Sequence, residues 1–315
     1  MIKGPIEQCW LYAIASPKDL ARRLSTNSHV VSASELEALA TGDGTFKVFP
    51  KKKNNKVRIV QEPRPRLQRL HRRIHELLSR IETPDYLHSA ISGHSYITNA
   101  AAHSATVPSI KIDVKKFFPS VLSATVFRFF VGPMRCNREV AGLLANLLTY
   151  QGHLPTGGSA SPIIAFYAFK GMFDEIDALA RAKGLTMTCY VDDMTLSGKN
   201  ATRGVLQQVR LIIARHGLKS HKVKFLPANR PKVITGVAVT TKGLRVPNRR
   251  HRAISQSFVE YQTAPDEAAA RKALNKLIGR MHEAGQIEPH WKLRAATLEN
   301  ERRILATSGN AAIER

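Results

Sequence analysis

Three aspartates carry the strongest chemical signal in the sequence. Asp113 closes the alternating run Ile110-Lys111-Ile112-Asp113, and the pair Asp192-Asp193 follows Cys189-Tyr190-Val191. Apolar strands do not ordinarily end in crowded carboxylates, because like charges raise one another's pKa. A divalent cation removes that conflict. An all-oxygen ligand set suits Mg²⁺, which keeps waters and substrate phosphate oxygens in its shell. Two such ions about 3.5–4 Å apart can clamp the attacking and leaving oxygens of a phosphoryl transfer. The chemistry would then be nucleotide addition, in which a hydroxyl attacks an α-phosphate and pyrophosphate leaves. Taken alone, Asp-Asp is more often a polar hairpin turn, where aspartate is common.

The neighbouring strings decide between these readings. Ile110-Lys111-Ile112-Asp113 with Phe117-Phe118-Pro119, then Leu154-Pro155-Thr156-Gly157 with Ser161-Pro162, then Tyr190-Val191-Asp192-Asp193, stand in that order. They resemble motifs A, B and C of reverse transcriptases. Two further strings narrow the resemblance to the bacterial retron enzymes. Asn99-Ala100-Ala101-Ala102-His103 matches their Asn-Ala-x-x-His signature, and Ile234-Thr235-Gly236 sits where they carry Val-Thr-Gly. The resemblance runs from about residue 45 to about residue 240.

The resemblance implies an α+β right-hand polymerase with fingers, an antiparallel palm sheet bearing the carboxylates, and a helical thumb. The implied divisions are an N-terminal helical segment (1–44), fingers (45–108), palm with part of the fingers (109–246), and an RNA-binding thumb (247–315). Asp113, Asp192 and Asp193 are the implied catalytic residues. With Val114 beside Asp113, they are also the positions expected to hold two Mg²⁺. Phe118, five residues after Asp113, is the aromatic that would sit under the incoming sugar and exclude a 2′-hydroxyl. Arg58, with Lys56, fits the position that contacts the triphosphate, where a planar guanidinium can bridge oxygens. Gly157 permits close backbone approach to a base pair. Thr156 replaces the commoner glutamine there, which leaves backbone contacts. Lys224, in the stretch after Gly217-Leu218, is the residue expected to protonate pyrophosphate. Lys222 lies in the same stretch.

Nucleic-acid contacts are expected from Lys51, Lys52, Lys53, Arg69, Arg72, Arg73, Asn99, His103, Arg249 and Arg250. Residues 51–73 hold ten Lys/Arg against the single acid Glu62, unlike an ordinary solvated face with interspersed charge. His71 and His75 share a helical face, but no glutamate follows His71, so RNA or solvent is a better partner for them than zinc. The implied partners are a cognate structured noncoding RNA, deoxynucleoside triphosphates and a separate effector protein. The implied product is branched RNA–DNA, primed from a guanosine 2′-hydroxyl, in a system of anti-phage defence.

The elements that must position these residues are legible from pattern. Ser16 with Asp19, and Ser34 with Glu37, read as helix starts. Phe46–Phe49 and Val57–Val60 read as a basic-tipped hairpin, followed by a basic helix over 65–81. A strand over 110–114 and helices over 123–131 and 137–150 follow. A long helix runs from the glycine loop to near Gly184. Two short strands in 187–197 flank the Asp-Asp turn, a helix carries Val205, Val209, Ile212 and Ile213, and strands are expected at 223–226, 233–239 and 244–246. Two or three helices complete the chain.

Bulk composition agrees. The 315 residues carry a net charge of +24 with 43% hydrophobic residues, which fits a folded protein that meets a polyanion. No run of about 18 apolar residues appears. The N-terminus lacks a signal layout. The three cysteines have no paired spacing. A cytoplasmic protein is expected. Three alternatives stay open: an intron-like enzyme, a diversity-generating enzyme, and an RNA- and effector-binding scaffold in which polymerisation is secondary.

Overall fold

The computed structural model describes residues 3–53 and 56–311; the side chains of 53, 56 and 304–311 lie outside the description. Helices α1 (Pro17–Leu24) and α2 (Ala33–Thr41) precede a hairpin of β1 (Phe46–Lys53) and β2 (Lys56–Pro63). Then come α3 (Pro65–Leu78), α4 (Tyr96–Ala101) and β3 (Ser109–Val114). Five helices follow: α5 (Phe117–Ser120), α6 (Ser123–Val131), α7 (Arg138–Leu148), α8 (Ser161–Ala168) and α9 (Lys170–Ala182). Strands β4 (Thr186–Tyr190) and β5 (Asp193–Ser197), helix α10 (Arg203–Arg215) and β6 (Ser220–Leu226) come next. The chain continues through β7 (Lys232–Ile234), β8 (Val237–Thr240) and β9 (Gly243–Arg245) to α11 (Asn248–Gln262), α12 (Glu267–Gly285) and α13 (His290–Ala311). The architecture is α+β, as expected.

Contacts divide the chain into two compact units, residues 1–95 with 108–226, and residues 96–107 with 227–315. The first unit is built on an antiparallel sheet in the order β4-β5-β3-β6. Period-two alternation sends Ile110, Ile112 and Val114 of β3 into the core, each fully buried, and leaves Lys111 and Asp113 on the other face. Helices α9 and α10 pack on this sheet through Phe173, Ile176, Val209 and Ile213. Each buried aliphatic side chain is worth about 1.5–3 kcal/mol. A one-residue slip of β3 would exchange three of them for Lys111 and Asp113, so the core fixes which face carries the carboxylate.

Three local expectations are corrected. The cap of α2 is Ser32, whose hydroxyl accepts from the Glu35 N–H at 3.0 Å; Ser34 lies inside the first turn. The single helix expected after the glycine loop is broken at Phe169, whose ring packs 6.0 Å from Phe117. The strand expected over 233–239 is a hairpin, turned at Thr235 and Gly236 with φ of 45° and 86°. Positive φ at both central residues suits a tight hairpin.

In the second unit, β7-β8-β9 covers α4 through Ala100, Ile234, Val237 and Val239. The two retron-like strings meet here. The Asn99 side chain, fully buried, donates from Nδ2 to Thr235 Oγ1 at 3.4 Å, and Thr235 Oγ1 donates to the Tyr96 carbonyl at 2.6 Å. His103 is 5% exposed. Asn99 and His103 are therefore interior residues of this unit and not the nucleic-acid contacts expected. The apolar face of α4 carries Asn99 inward together with Ala100, and His103 follows just after the helix ends. Arg250 is also committed inside the unit. It lies 5.1 Å over the Tyr96 ring and 3.0 Å from Glu283, with a side chain 19% exposed. Arg249, one residue earlier, is exposed.

Candidate active site

The pairing register brings the carboxylates together. Asp113 on β3 stands directly opposite Asp193 on β5, and Asp192 occupies the two-residue turn between β4 and β5. Directly opposed residues stand about 4.5–5.5 Å apart at Cβ, where like charges destabilise a sheet. Two lysines answer that charge. Lys222 Nζ lies 2.9 Å from Asp113 Oδ2, and Lys111 Nζ lies 2.7 Å from Asp193 Oδ2. Lys111 shares the face of Asp113 because it is two residues away on the same strand. Lys224 pairs opposite Lys111, further from the turn, so Lys222 and not Lys224 reaches the aspartates. A break in register between Lys111 and Asp113, with Lys222 at φ 47°, accounts for the exchange.

Asp192 is the most perturbed of the three. Burial pushes its carboxyl up to about 6, and the negative charge of Asp113 adds to that. Burial also raises Asp193, opposed by the Lys111 ammonium. Asp193 Oδ1 is buried without a hydrogen-bond partner. Among the described residues, no three His, Cys, Asp or Glu side chains already converge as a ligand cage, and Asp113 and Asp193 are each paired with a lysine. The donor set nevertheless fits a hard divalent cation. It is all carboxylate oxygen, one oxygen is orphaned, and one carboxyl ionises less readily than an ordinary aspartate, a cost that added positive charge would offset.

The turn itself is held from both sides. Val114 N–H donates to the Asp192 carbonyl at 3.0 Å, so the Val114 backbone meets the site while its side chain is buried. Val191 N–H donates to Ser89 Oγ at 2.8 Å. Neither Lys111 nor Ser89 was singled out from the sequence. Alternation from Asp113 would have found Lys111. No local signal marks Ser89, which arrives from a distant segment.

Of the tandem phenylalanines, Phe117 is 3% exposed and packs on Phe169 and Phe173, whereas Phe118 is half-buried at the edge of the core. Lys116, at φ 50°, turns the chain between Asp113 and this pair. The glycine loop meets the hairpin β1–β2. Gly157 N–H donates to the Gln61 carbonyl at 2.9 Å. Gln61 Oε1 accepts from the Thr156 N–H at 3.2 Å and pairs with Thr156 Oγ1 at 3.0 Å. A Cβ on Gly157 would stand 2.7 Å from the Gln61 carbonyl oxygen and 3.1 Å from Glu62 Cα. Gly157→Ala is therefore expected to part loop from hairpin. It should lower thermal stability by about 1–3 kcal/mol and raise KM for nucleotide, read by thermal melting and primer extension.

Beneath this loop the expectation for His71 fails. His71 is fully buried, its Nε2 lies 2.9 Å from the Leu147 carbonyl, and burial lowers its pKa to about 4. His75 is half-buried and likewise lowered by burial. His71 thus serves the packing of α3 and not RNA or solvent, whereas His75 stays partly exposed. Arg73 is folded onto Glu76 at 2.9 Å with a side chain 16% exposed, which removes it from the expected basic surface. Lys51, Lys52, Arg58, Arg69 and Arg72 are exposed. The side chains of Lys53 and Lys56 lie outside the described residues.

Comparison with known proteins agrees with this geometry. The sequence model of the family described as "Reverse transcriptase (RNA-dependent DNA polymerase)" matches residues 49–238. The chain is 34% identical over 146 residues to the retron Se72 reverse transcriptase of Salmonella heidelberg, covering 46% of this chain and 38% of that protein. It is 30% identical over 248 residues to the retron Mx65 reverse transcriptase of Myxococcus xanthus, covering 70% and 57%. It is 24% identical over 285 residues to the retron Ec48 reverse transcriptase of Escherichia coli, covering 82% and 70%. The chain thus spans less than two thirds of the length of the first two relatives.

Proposed function

Because the chain belongs to the reverse transcriptase family, and its curated relatives are of the bacterial retron type, we propose that it is a retron RNA-directed DNA polymerase. On this reading it copies part of a structured noncoding RNA into DNA by two-metal nucleotidyl transfer. The observation that carries the reading is the meeting of Asp113, Asp192 and Asp193 at one end of an antiparallel sheet. Asp113 and Asp192 would hold two Mg²⁺, with Asp193 a weaker ligand. When bound, the ions would supply charge stabilisation to the attacking and leaving oxygens.

The chain's own residues do the rest. Lys111 and Lys222 balance the carboxylates before substrate arrives and release them to a stronger positive charge. Lys222, already at the site, is better placed than Lys224 to give a proton to leaving pyrophosphate. Arg58 on the exposed hairpin, with Lys56, would contact the triphosphate. Phe118 would floor the sugar pocket, and Gly157 would let the loop backbone approach the base pair. Lys51, Lys52, Arg69, Arg72 and Arg249 are exposed cations suited to phosphate contacts, which give affinity without sequence preference.

The finer reading is that synthesis starts at a guanosine 2′-hydroxyl and leaves branched RNA–DNA, in a cytoplasmic anti-phage system with a separate effector. Sequencing the nucleic acid that copurifies with the wild type and with Asp192→Asn tests it. One structured RNA joined to DNA in the wild type, and RNA alone in the variant, is the expected result. Mixed RNA without DNA in both would overturn the retron reading.

A further inference from the structure

The turn that carries Asp192 is unusual in its first residue. Val191 has φ 61°, a region that β-branched side chains scarcely visit and that glycine normally fills. Such a conformation persists only where its surroundings over-determine it. Hydrogen bonds at both ends of the turn do so, and the Cys189 thiol also donates to the Val191 carbonyl at 3.5 Å. Val114 N–H holds the Asp192 carbonyl at 3.0 Å, and Ser89 Oγ accepts the Val191 N–H at 2.8 Å.

Ser89 is not part of the sheet. It ends a short segment laid parallel along β4, where the Tyr86 carbonyl accepts from Cys189 N–H at 2.7 Å and His88 N–H donates to the Cys189 carbonyl at 2.9 Å. The Ser89 hydroxyl extends that ladder by one rung to Val191. Directly afterwards Ala90, at φ 59°, turns the segment away. The segment is itself secured. His94 Nδ1 lies 2.8 Å from the Leu87 carbonyl, and its ring stacks on His88 at 4.7 Å. Ser89 is 5% exposed, so water does not readily replace it.

We infer that Ser89 is a positioning residue for the polymerase centre, acting through Val191 to fix where Asp192 presents its carboxylate. This rests on the reading of Asp192 as a metal-holding residue. Without the hydroxyl, the Val191 N–H is left unpaired, and its peptide can rotate back to negative φ. With only two residues in the turn, that rotation swings Asp192. Displacement of a reacting group by about 1 Å costs up to roughly 100-fold in rate.

The test compares Ser89→Ala, Ser89→Thr, Val191→Gly and Ser89→Ala/Val191→Gly in primer extension on an RNA template. Hydrogen exchange of residues 186–195 is followed in parallel in the Mg²⁺-free protein. Ser89→Ala should lower kcat by roughly 10- to 100-fold, leave KM for nucleotide little changed, and speed exchange at Val191. Ser89→Thr keeps the hydroxyl and should keep the rate. In the Val191→Gly background the turn needs no anchor, so adding Ser89→Ala should cost far less than it does alone. Equal losses in both backgrounds, or no change in kcat and exchange, would overturn the inference. A wild type that extends no primer would instead overturn the polymerase reading, while the exchange data would still decide the anchor.

Discussion

Asp192→Asn is expected to abolish nucleotide addition while making the Mg²⁺-free protein more stable at pH 8. On the proposed two-metal reading the variant lacks a ligand in a site where bound ions would supply several kcal/mol of transition-state stabilisation, so a fall of at least about 10³-fold in kcat is expected. The gain follows from the raised carboxyl. Burial beside Asp113 lifts Asp192 from 3.8 to about 6, so the folded protein holds this proton more tightly than the unfolded chain does. Stability therefore falls as pH rises from about 4 to about 6 and stays low above that. Asparagine carries no such charge, and the variant should recover up to about 2–3 kcal/mol at pH 8 and almost none at pH 4. Thermal melting without Mg²⁺ at both pH values reads this directly. Added Mg²⁺ should raise the melting temperature of the wild type more than that of the variant. A variant less stable than wild type at pH 8 would show that Asp192 is held by hydrogen bonds and not strained by its neighbours.

The opposite signs expected of these two effects are the physical reason a site of this kind can be read from sequence. A group that weakens the fold is placed for reasons other than folding, and residue type and order alone disclose it. Asp113 after alternating isoleucines, and Asp192-Asp193 after an apolar strand, break local rules in the same direction. The strand register was equally legible, because Ile110, Ile112 and Val114 admit a single core-facing solution. Lys222 was harder to read. Choosing between it and Lys224 depends on a break in pairing between β3 and β6, which no spacing along one strand discloses.

Charge and polarity were poor guides where tertiary packing intervenes. Asn99 and His103 read as RNA contacts through the retron-like string that holds them, and His71 and Arg250 through their polarity in a basic chain. Each lies on the inward side of an amphipathic helix or against a partner distant in sequence. Asn99 meets Thr235, 136 residues away, and His71 meets Leu147, 76 residues away. That Asn99 and Thr235 belong to the two retron-like strings gives those strings a physical content. They are two halves of one buried contact that joins α4 to the turn between β7 and β8. Gln61 and Ser89 escaped for the same reason, since each acts through a segment that arrives from elsewhere in the chain.

Phe118→Ala is expected to relax sugar selection, and Phe117→Ala to damage the fold without relaxing it. The two rings are adjacent in sequence but differ in surroundings. Phe117 lies 6.0 Å from Phe169 and 6.2 Å from Phe173 and is 3% exposed, so its truncation leaves a cavity worth about 3–5 kcal/mol. Phe118 lies at the edge of that core, on the short helix that follows Asp113, with part of its ring uncovered. On the proposed reading a ring there would exclude the extra oxygen of a ribonucleotide by contact. Removing it should raise kcat/KM for ribonucleotides relative to deoxynucleotides by about 10²-fold, which corresponds to about 3 kcal/mol of steric discrimination. Single-turnover incorporation of matched ribo- and deoxynucleotides measures the ratio, and thermal melting measures the fold. Unchanged selection in Phe118→Ala, or relaxed selection in a folded Phe117→Ala, would transfer the gate to another side chain. Because Phe117 anchors the helix that presents Phe118, Phe117→Leu is the sharper control. It preserves most of the buried volume and should leave selection as it is in the wild type.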